Sequence, residues 1–260
     1  MGLNLDAIKA KLNQLNSNND RRNNLWKPEA GKTRVRIVPY VHRKDNPFLE
    51  LYFHYDIAKR SMLSPVSFGN ADPVVEFAEK LKKTGDKDEW LMGRKIEPKM
   101  RTYVPVIVRG KEADGVKFWG FGKTIYTELL SIVSDPDYGD ITDLMNGRDI
   151  DVEFTPAEGG GYPKTAIRVK PNTSTATDDK AIAEKIMNQP TITDIFPEPT
   201  YEELENALKE WMNPEDDSSD VETTTATTTD TTTKTESGTA AKSEEKQTDV
   251  ASAFNDLFNK

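Results

Sequence analysis

Apolar residues that alternate with polar ones mark a series of short strands between residues 33 and 169. In residues 33–38 the alternation puts Arg34 and Arg36 on one face of a strand and Val35 and Ile37 on the other. Similar β-branched and aromatic segments follow at residues 48–57, 103–108, 116–121, 149–154 and 165–169. The last two flank a glycine-rich turn and predict a hairpin.

Apolar residues at helical spacing predict helices at residues 3–15, 73–83, 123–134 and within 181–212. Together these segments give about five strands with helices between them. That inventory predicts an α+β chain, mainly β, with an OB-type five-stranded barrel as its core. Another mixed α+β sheet is the alternative.

The two ends of the chain differ from the body between them, which spans residues 21–212. Residues 1–20 contain an amphipathic helix whose apolar stripe packs either on the chain's own core or on a neighbouring protomer. Residues 213–260 include a nearly pure threonine tract at 223–235 and predict a disordered acidic tail. At its end, Phe254, Leu257 and Phe258 share one helical face and predict a motif for partner docking; an unstructured end is the alternative.

The net charge of −9 conceals an uneven distribution along the chain. Residues 1–172 carry a net charge of +4, residues 173–212 carry −6 and residues 213–260 carry −7. A basic body joined to an acidic end is typical of a nucleic-acid-binding protein with a regulatory tail. A mildly basic domain with a solubilising tail is the alternative.

Composition excludes several kinds of chemistry. The chain has no cysteine and only two histidines, so disulfides, thiolate metal sites and cysteine nucleophiles are excluded. No grouping of serine, histidine and carboxylates predicts catalysis, and we expect neither an enzyme nor a cofactor. No apolar run of about 18 residues predicts a membrane span, and the first residues lack a signal-peptide pattern. We therefore expect a cytoplasmic protein.

Basic and aromatic residues recur together in the strand region. Single-stranded nucleic acid requires this mixture, because cations hold the phosphates while flat rings stack on unpaired bases. The alternative is that the rings are ordinary core residues. The predicted DNA-binding residues are Arg34, Arg36, Tyr52, Tyr55, Lys59, Arg60, Lys99, Arg101, Tyr103, Lys117, Trp119, Phe121 and Lys123.

These segments resemble, in order along nearly the whole chain but at low identity, the single-stranded DNA-binding (helix-destabilising) proteins of T-even-like bacteriophages. The most specific match is residues 116–126. Others are the N-terminal helix ending near residues 11–13, the Trp26-Lys27 pair with residues 35–39, and the acidic tail ending in residues 254–258. The resemblance implies an OB core that binds single strands, an N-terminal segment that joins neighbouring copies, and a tail that recruits replication proteins. The corresponding self-association residues are Leu5, Ile8, Leu12, Arg21 and Arg22.

One departure from the family concerns zinc. The best-studied members hold zinc through one histidine and three cysteines in a subdomain that corresponds to residues 58–98 here. His54 matches the histidine, the Met62 region matches the first cysteine, and residues 72–75 replace the remaining cysteine pair. Because a histidine and an aspartate are too few for a tetrahedral site, we predict that zinc is absent. Val74, Val75, Phe77 and Leu81 are expected to supply an apolar contact in its place.

The resemblance implies a protein that coats single-stranded DNA, cooperatively and without base specificity, during phage replication, recombination and repair in the infected cell. Its tail would recruit phage replication and recombination proteins and modulate DNA binding. The alternative is a scaffold protein that works through its acidic-hydrophobic tail, with the basic and aromatic residues serving as core and rim.

Overall fold

The structure, a computed structural model, describes Lys9 and residues 23–43, 45–57 and 61–212. The predictions for the N-terminal helix and for Leu5, Ile8, Leu12, Arg21 and Arg22 lie outside these residues. So do those for Lys59 and Arg60, and those for the tail with Phe254, Leu257 and Phe258.

The described residues form a mixed α+β chain with one large, mostly antiparallel sheet. Its strands are β1 (Leu25–Trp26), β2 (Gly31–Ile37), β3 (Leu49–His54), β4 (Met62–Leu63), β5 (Lys99–Val108), β6 (Lys117–Phe121), β7 (Gly147–Thr155) and β8 (Lys164–Ser174). The helices are α1 (Pro73–Lys83), α2 (Lys87–Ile96), α3 (Lys123–Val133), α4 (Lys180–Met187), α5 (Ile192–Ile195) and α6 (Tyr201–Met212). No described helix is long and apolar enough to cross a membrane.

The sheet runs in the order β1-β6-β5-β2-β7-β8, and β3 pairs with both β5 and β4. The β1–β6 pair is parallel, and the other pairs with a defined register are antiparallel. The predicted hairpin is confirmed: β7 and β8 pair from Gly147↔Ser174 to Thr155↔Lys164. The predicted helices at 73–83 and 123–134 are also confirmed within a residue.

The chain forms two compact units. Of the described residues, the first takes in those up to Tyr52 and Met100–Glu198, and the second takes in those of Phe53–Lys99 and of 199–212. The second unit thus contains residues 58–98, for which the resemblance implies an inserted subdomain, and also α6 from much later in the chain.

The core of the first unit is built from the inward faces of β2, β5, β6 and β7 together with α3. Its buried members include Val35, Val104, Trp119, Leu129 and Val152. The strand alternation predicted for residues 33–38 accounts for Val35 and Ile37, which are both fully buried in this cluster.

The core of the second unit lies among α1, α2 and α6. Val74, Phe77 and Leu81 of α1 are fully buried here, as the sequence predicts, while Val75 is only half-buried. The sequence analysis missed α2, whose interior contains Gly93. A Cβ on Gly93 would lie 2.7 Å from the Ala78 carbonyl oxygen, so glycine is what allows α2 to approach α1 this closely.

Candidate nucleic-acid interface

A cleft of about 380 Å³ lies beside the end of β6 in the first unit. The described part of β1 pairs with β6 only at Leu25↔Phe118 and Trp26↔Trp119, so the pairing stops before Gly120. Residues of β5, α3 and the β7–β8 hairpin complete the walls. The lining is Leu25, Trp26, Lys27, Pro28, Arg101, Tyr103, Phe118, Trp119, Gly120, Phe121, Gly122, Ile125, Phe154, Pro163 and Thr165.

Two predicted stacking residues lie beneath the cleft. Trp119 is 1% exposed and Phe121 is 4% exposed, and their ring centroids lie 4.7 Å apart within the core. Neither ring therefore presents a face to a base, and the interpretation of Trp119 and Phe121 as stacking residues is corrected. They belong to the core because they lie on the face of β6 that packs against Val104 and α3.

Two other rings take the accessible positions in the cleft wall. The half-buried Trp26 meets Trp119 edge-on, with 5.6 Å between centroids, so the core tryptophan supports it from below. The half-buried Tyr103 packs against Phe196 at 4.8 Å and lies over Gly120, its partner on β6. Both rings are thus held in place by neighbours while keeping part of their surface accessible.

Two cations line the cleft with these rings, and a third is adjacent in the chain to a lining residue. Lys27 and Arg101 line the cleft, and Lys123 follows Gly122 at the start of α3. All three are exposed, and none makes an ion pair with a residue that the structure describes. The cleft therefore combines accessible aromatic surface with uncompensated positive charge.

Arg36 is not available for DNA. Its side chain is fully buried, its Nε donates to Asp149 Oδ1 at 2.9 Å, and its Nη1 donates to the Ser174 carbonyl at 2.9 Å. Burial lowers the pKa of Arg36, and the charge of Asp149 opposes that shift. Arg36 thus acts as a structural link between β2, β7 and β8, which corrects its assignment as a DNA-binding residue.

The other predicted residues lie away from the cleft lining. Arg34 is paired with Asp151 on β7, and the Lys117 ammonium donates to the Asn23 carbonyl oxygen. Lys99 and the exposed Tyr55 belong to the second unit, where Lys99 lies 3.5 Å from Asp56. Tyr52 on β3 is half-buried and belongs to the first unit. Of the predicted set, the cleft brings together Arg101, Tyr103, Trp119 and Phe121.

The sequence analysis missed Tyr162, which is 90% exposed in the β7–β8 turn. It precedes Pro163, which lines the cleft, and it follows Gly159 and Gly160, whose φ angles of 58° and 83° shape the turn. A tyrosine in an otherwise small and polar turn has no core to enter, and that signal is present in the sequence. Lys27 and Phe154 also line the cleft but were not among the predicted site residues.

Gly120 fixes the position of the Tyr103 ring. A Cβ at residue 120 would lie 2.5 Å from Tyr103 Cε1, so alanine must push the ring out of place. We expect Gly120→Ala to destabilise the protein by about 1–3 kcal/mol. Gly122→Ala is the matched control, because φ there is −89° and nothing lies within 4 Å of the added carbon. Equal denaturation midpoints for the two variants would contradict this role for Gly120.

The second unit contains a buried polar network that includes His54 and Asp72. His54 Nδ1 donates to the Ile96 carbonyl at 2.9 Å, and His54 Nε2 lies 2.9 Å from Asp72 Oδ2. Ser64 Oγ donates to the same carboxylate oxygen, while Asp72 Oδ1 accepts from the backbone N–H groups of Val74 and Val75. Asp72 thus caps α1 and joins it to β3 and the end of α2.

The charges in this network follow from its geometry. Burial would raise the pKa of Asp72, but the hydrogen bond and charge of His54 and the hydrogen bond from Ser64 outweigh it and lower that pKa. Within the described residues no group of three or more histidine or acidic side chains is placed to hold a metal.

No protein-family model matches the chain, and no curated protein matches it. The function of the cleft is therefore inferred from its own residues.

Proposed function

We propose that the chain is a single-stranded DNA-binding protein that engages the strand through the cleft, without base specificity. The observation that carries this proposal is the combination, in one cleft, of two accessible rings with the exposed cations Lys27 and Arg101. Rings accept any base by stacking, and cations attract the phosphates between bases. The exposed Tyr162, next to the lining residue Pro163, is proposed to add a third ring.

The core of the first unit is proposed to be an OB-type barrel. Support comes from the long strand β5, which pairs with three neighbours, and from the hairpin β7–β8, whose turn borders the cleft. A barrel of this kind places its loops and one open edge around a single-stranded ligand.

The biological role is proposed from the resemblance. The chain would coat single-stranded DNA during phage replication, recombination and repair in the bacterial cytoplasm. Its N-terminal residues would join neighbouring copies head to tail, and its acidic residues 213–260 would recruit replication proteins and compete with DNA for basic groups. The chain is proposed to have no catalytic activity and no zinc.

A scaffold function is the second candidate. The burial of Trp119 and Phe121 favours it, because two rings of the predicted binding set are core residues. In that case the protein would act by binding partners through the docking motif at Phe254, Leu257 and Phe258, and it would not bind DNA.

Titration of the full chain with oligo(dT), followed by tryptophan fluorescence, separates the two candidates. Binding in the cleft should quench Trp26, and the affinity should fall with salt by a log–log slope of about 0.7 for each phosphate contacted. Trp26→Phe should remove most of the quenching. Trp90→Phe is the control, since Trp90 lies in the second unit beneath Arg94. A flat titration at low salt, with the chain shown to be folded, would reject DNA binding.

A further inference from the structure

The outer face of strands β2, β7 and β8 carries a dense set of charges. Val35, Ile150 and Val152 point into the core, so the residues between them point the other way. On that outer face, Arg34 pairs in register with Asp151, and Asp151 pairs with Arg168. The charged residues of this outer face are Lys32, Arg34, Arg36, Asp149, Asp151, Glu153, Arg168 and Lys170, with Arg109 adjoining Asp149.

Three cations on this face share one carboxylate. Asp151 is ion-paired with Lys32, Arg34 and Lys170, each at 2.9 Å, and its own side chain is only 2% exposed. Burial would raise the pKa of Asp151, but hydrogen bonds from the three cations outweigh it and hold that pKa far below its usual range. One negative charge cannot neutralise three positive ones, so a net charge of about +2 remains at this point.

The surrounding residues do not cancel that charge. Arg168 lies beside Asp151 on β8, is exposed, and makes no ion pair with a described residue. Asp149 is already bound by Arg36 and Arg109. Only Glu153, opposite Lys32, adds an exposed negative charge to the face. The buried carboxylate therefore holds the three neighbouring cations in place while leaving them able to bind an anion.

We propose that this outer face binds the phosphodiester backbone of nucleic acid and forms a second contact surface beside the cleft. This proposal rests on the proposed function. None of the side chains that form the outer face is aromatic, so it can hold phosphates but cannot stack on bases. The hairpin β7–β8 joins the two surfaces. Phe154 and Thr165 line the cleft. Their neighbours Glu153 and Ala166 face each other across the hairpin, and Glu153 also lies opposite Lys32 of the outer face. A strand that leaves the cleft can therefore continue onto the outer face.

The test uses Lys32→Gln combined with Lys170→Gln in the full chain. This variant removes two cations while keeping the Arg34–Asp151 pair, so Asp151 stays compensated. Lys111→Gln with Lys180→Gln is the matched control, since it removes the same charge from exposed positions elsewhere in the first unit. Affinities for oligo(dT) of about 4 and about 16 nucleotides, the range of single-domain site sizes, are measured across a salt series.

For the longer oligonucleotide we expect the log–log salt slope of the double variant to fall by about 1.4, which is 0.7 for each lost phosphate contact. The short oligonucleotide, which fills only the cleft, should bind as it does to the unchanged protein. The outer face can also take its phosphodiester backbone from a second DNA molecule. In that case the unchanged protein should bind two short oligonucleotides at low salt, and the double variant should bind only one. Arg168→Gln breaks no ion pair among the described residues and tests the same face if the double variant misfolds. It should lower the log–log salt slope for the longer oligonucleotide by about 0.7.

Three results would overturn the proposal. In the first, the long oligonucleotide binds the double variant and the control equally. In the second, the double variant binds DNA more tightly, which would mean that the face holds the chain's own acidic residues 213–260. In the third, short and long oligonucleotides lose equal affinity, which would place the lysines in the cleft site. If the unchanged protein does not bind the short oligonucleotide at all, the proposed function itself is rejected. That outcome is distinct from the three above.

Discussion

Asp72→Ala is expected to destabilise the second unit by about 3–5 kcal/mol, the typical cost of removing one partner of a buried ion pair. The substitution leaves the buried His54 ring without its counter-charge and the Ser64 hydroxyl without its acceptor. It also removes the cap from the first turn of α1. Chemical denaturation of the full chain gives the size of the effect, and hydrogen exchange of α1 and α2 amides locates it.

Asp86→Ala is the matched control for the capping part of this effect. Asp86 Oδ1 accepts from the N–H groups of Asp88 and Glu89 at the start of α2, as Asp72 does for α1, but Asp86 is exposed. We expect a loss of about 1 kcal/mol for a cap alone. Equal losses for the two aspartates would show that the His54–Asp72 pair adds nothing to stability.

The same pair should make the free energy of unfolding depend on pH in the acid range. The pKa of Asp72 is lower in the folded chain than its ordinary value of 3.8, so unfolding takes up a proton at acid pH. The stability that Asp72 contributes is therefore complete above about pH 4 and declines as the pH falls through its folded pKa. Denaturation midpoints measured between pH 7 and pH 3 should fall more steeply for the unchanged protein than for Asp72→Ala.

Tyr162→Ala is expected to weaken binding of oligo(dT) by roughly 5- to 150-fold. One base–ring stack is worth about 1–3 kcal/mol, and Tyr162 is 90% exposed and precedes Pro163, which lines the cleft. Because the ring packs on so little of the protein, its removal should leave the denaturation midpoint unchanged. Fluorescence titration at fixed salt measures the affinity.

Tyr162→Phe supplies the control for this second prediction. It keeps the ring and removes only the hydroxyl, so stacking and affinity should be retained. If alanine and phenylalanine variants both bind as the unchanged protein does, Tyr162 takes no part in binding. If both lose affinity equally, the hydroxyl rather than the ring is the functional group.

The six longer strands and most helices could be predicted because local periodicity reflects which side faces the core, whereas the two-residue strands β1 and β4 were not predicted. Residues 33–38 show this, since their alternation placed Val35 and Ile37 correctly in the core. The helix α2 was missed because Gly93 weakens its helical signal, and the reason for that glycine is contact with α1. A requirement set by a neighbouring helix cannot be detected within the segment itself.

The candidate site was predicted only in part. The sequence pointed to β5 and β6, and the cleft does contain Arg101 and Tyr103. It could not show that Trp119 and Phe121 of β6 enter the core while Tyr103 of β5 keeps part of its surface accessible, because core and stacking residues have the same chemistry. Trp26 and Phe154 reach the cleft only because β1 pairs with β6 and because the β7–β8 hairpin folds beside it.

The sequence alone determined the α+β class, the uneven charge and the lack of cysteine, because each depends on composition or on contacts between near neighbours. Only the tertiary structure decided which charges remain uncompensated. Arg34 and Arg36 appear equivalent in the alternating segment. Yet Arg36 is fully buried against Asp149, while Arg34 shares Asp151 with two lysines on an exposed face. That difference arises from partners more than 100 residues away along the chain, and only folding brings those partners together.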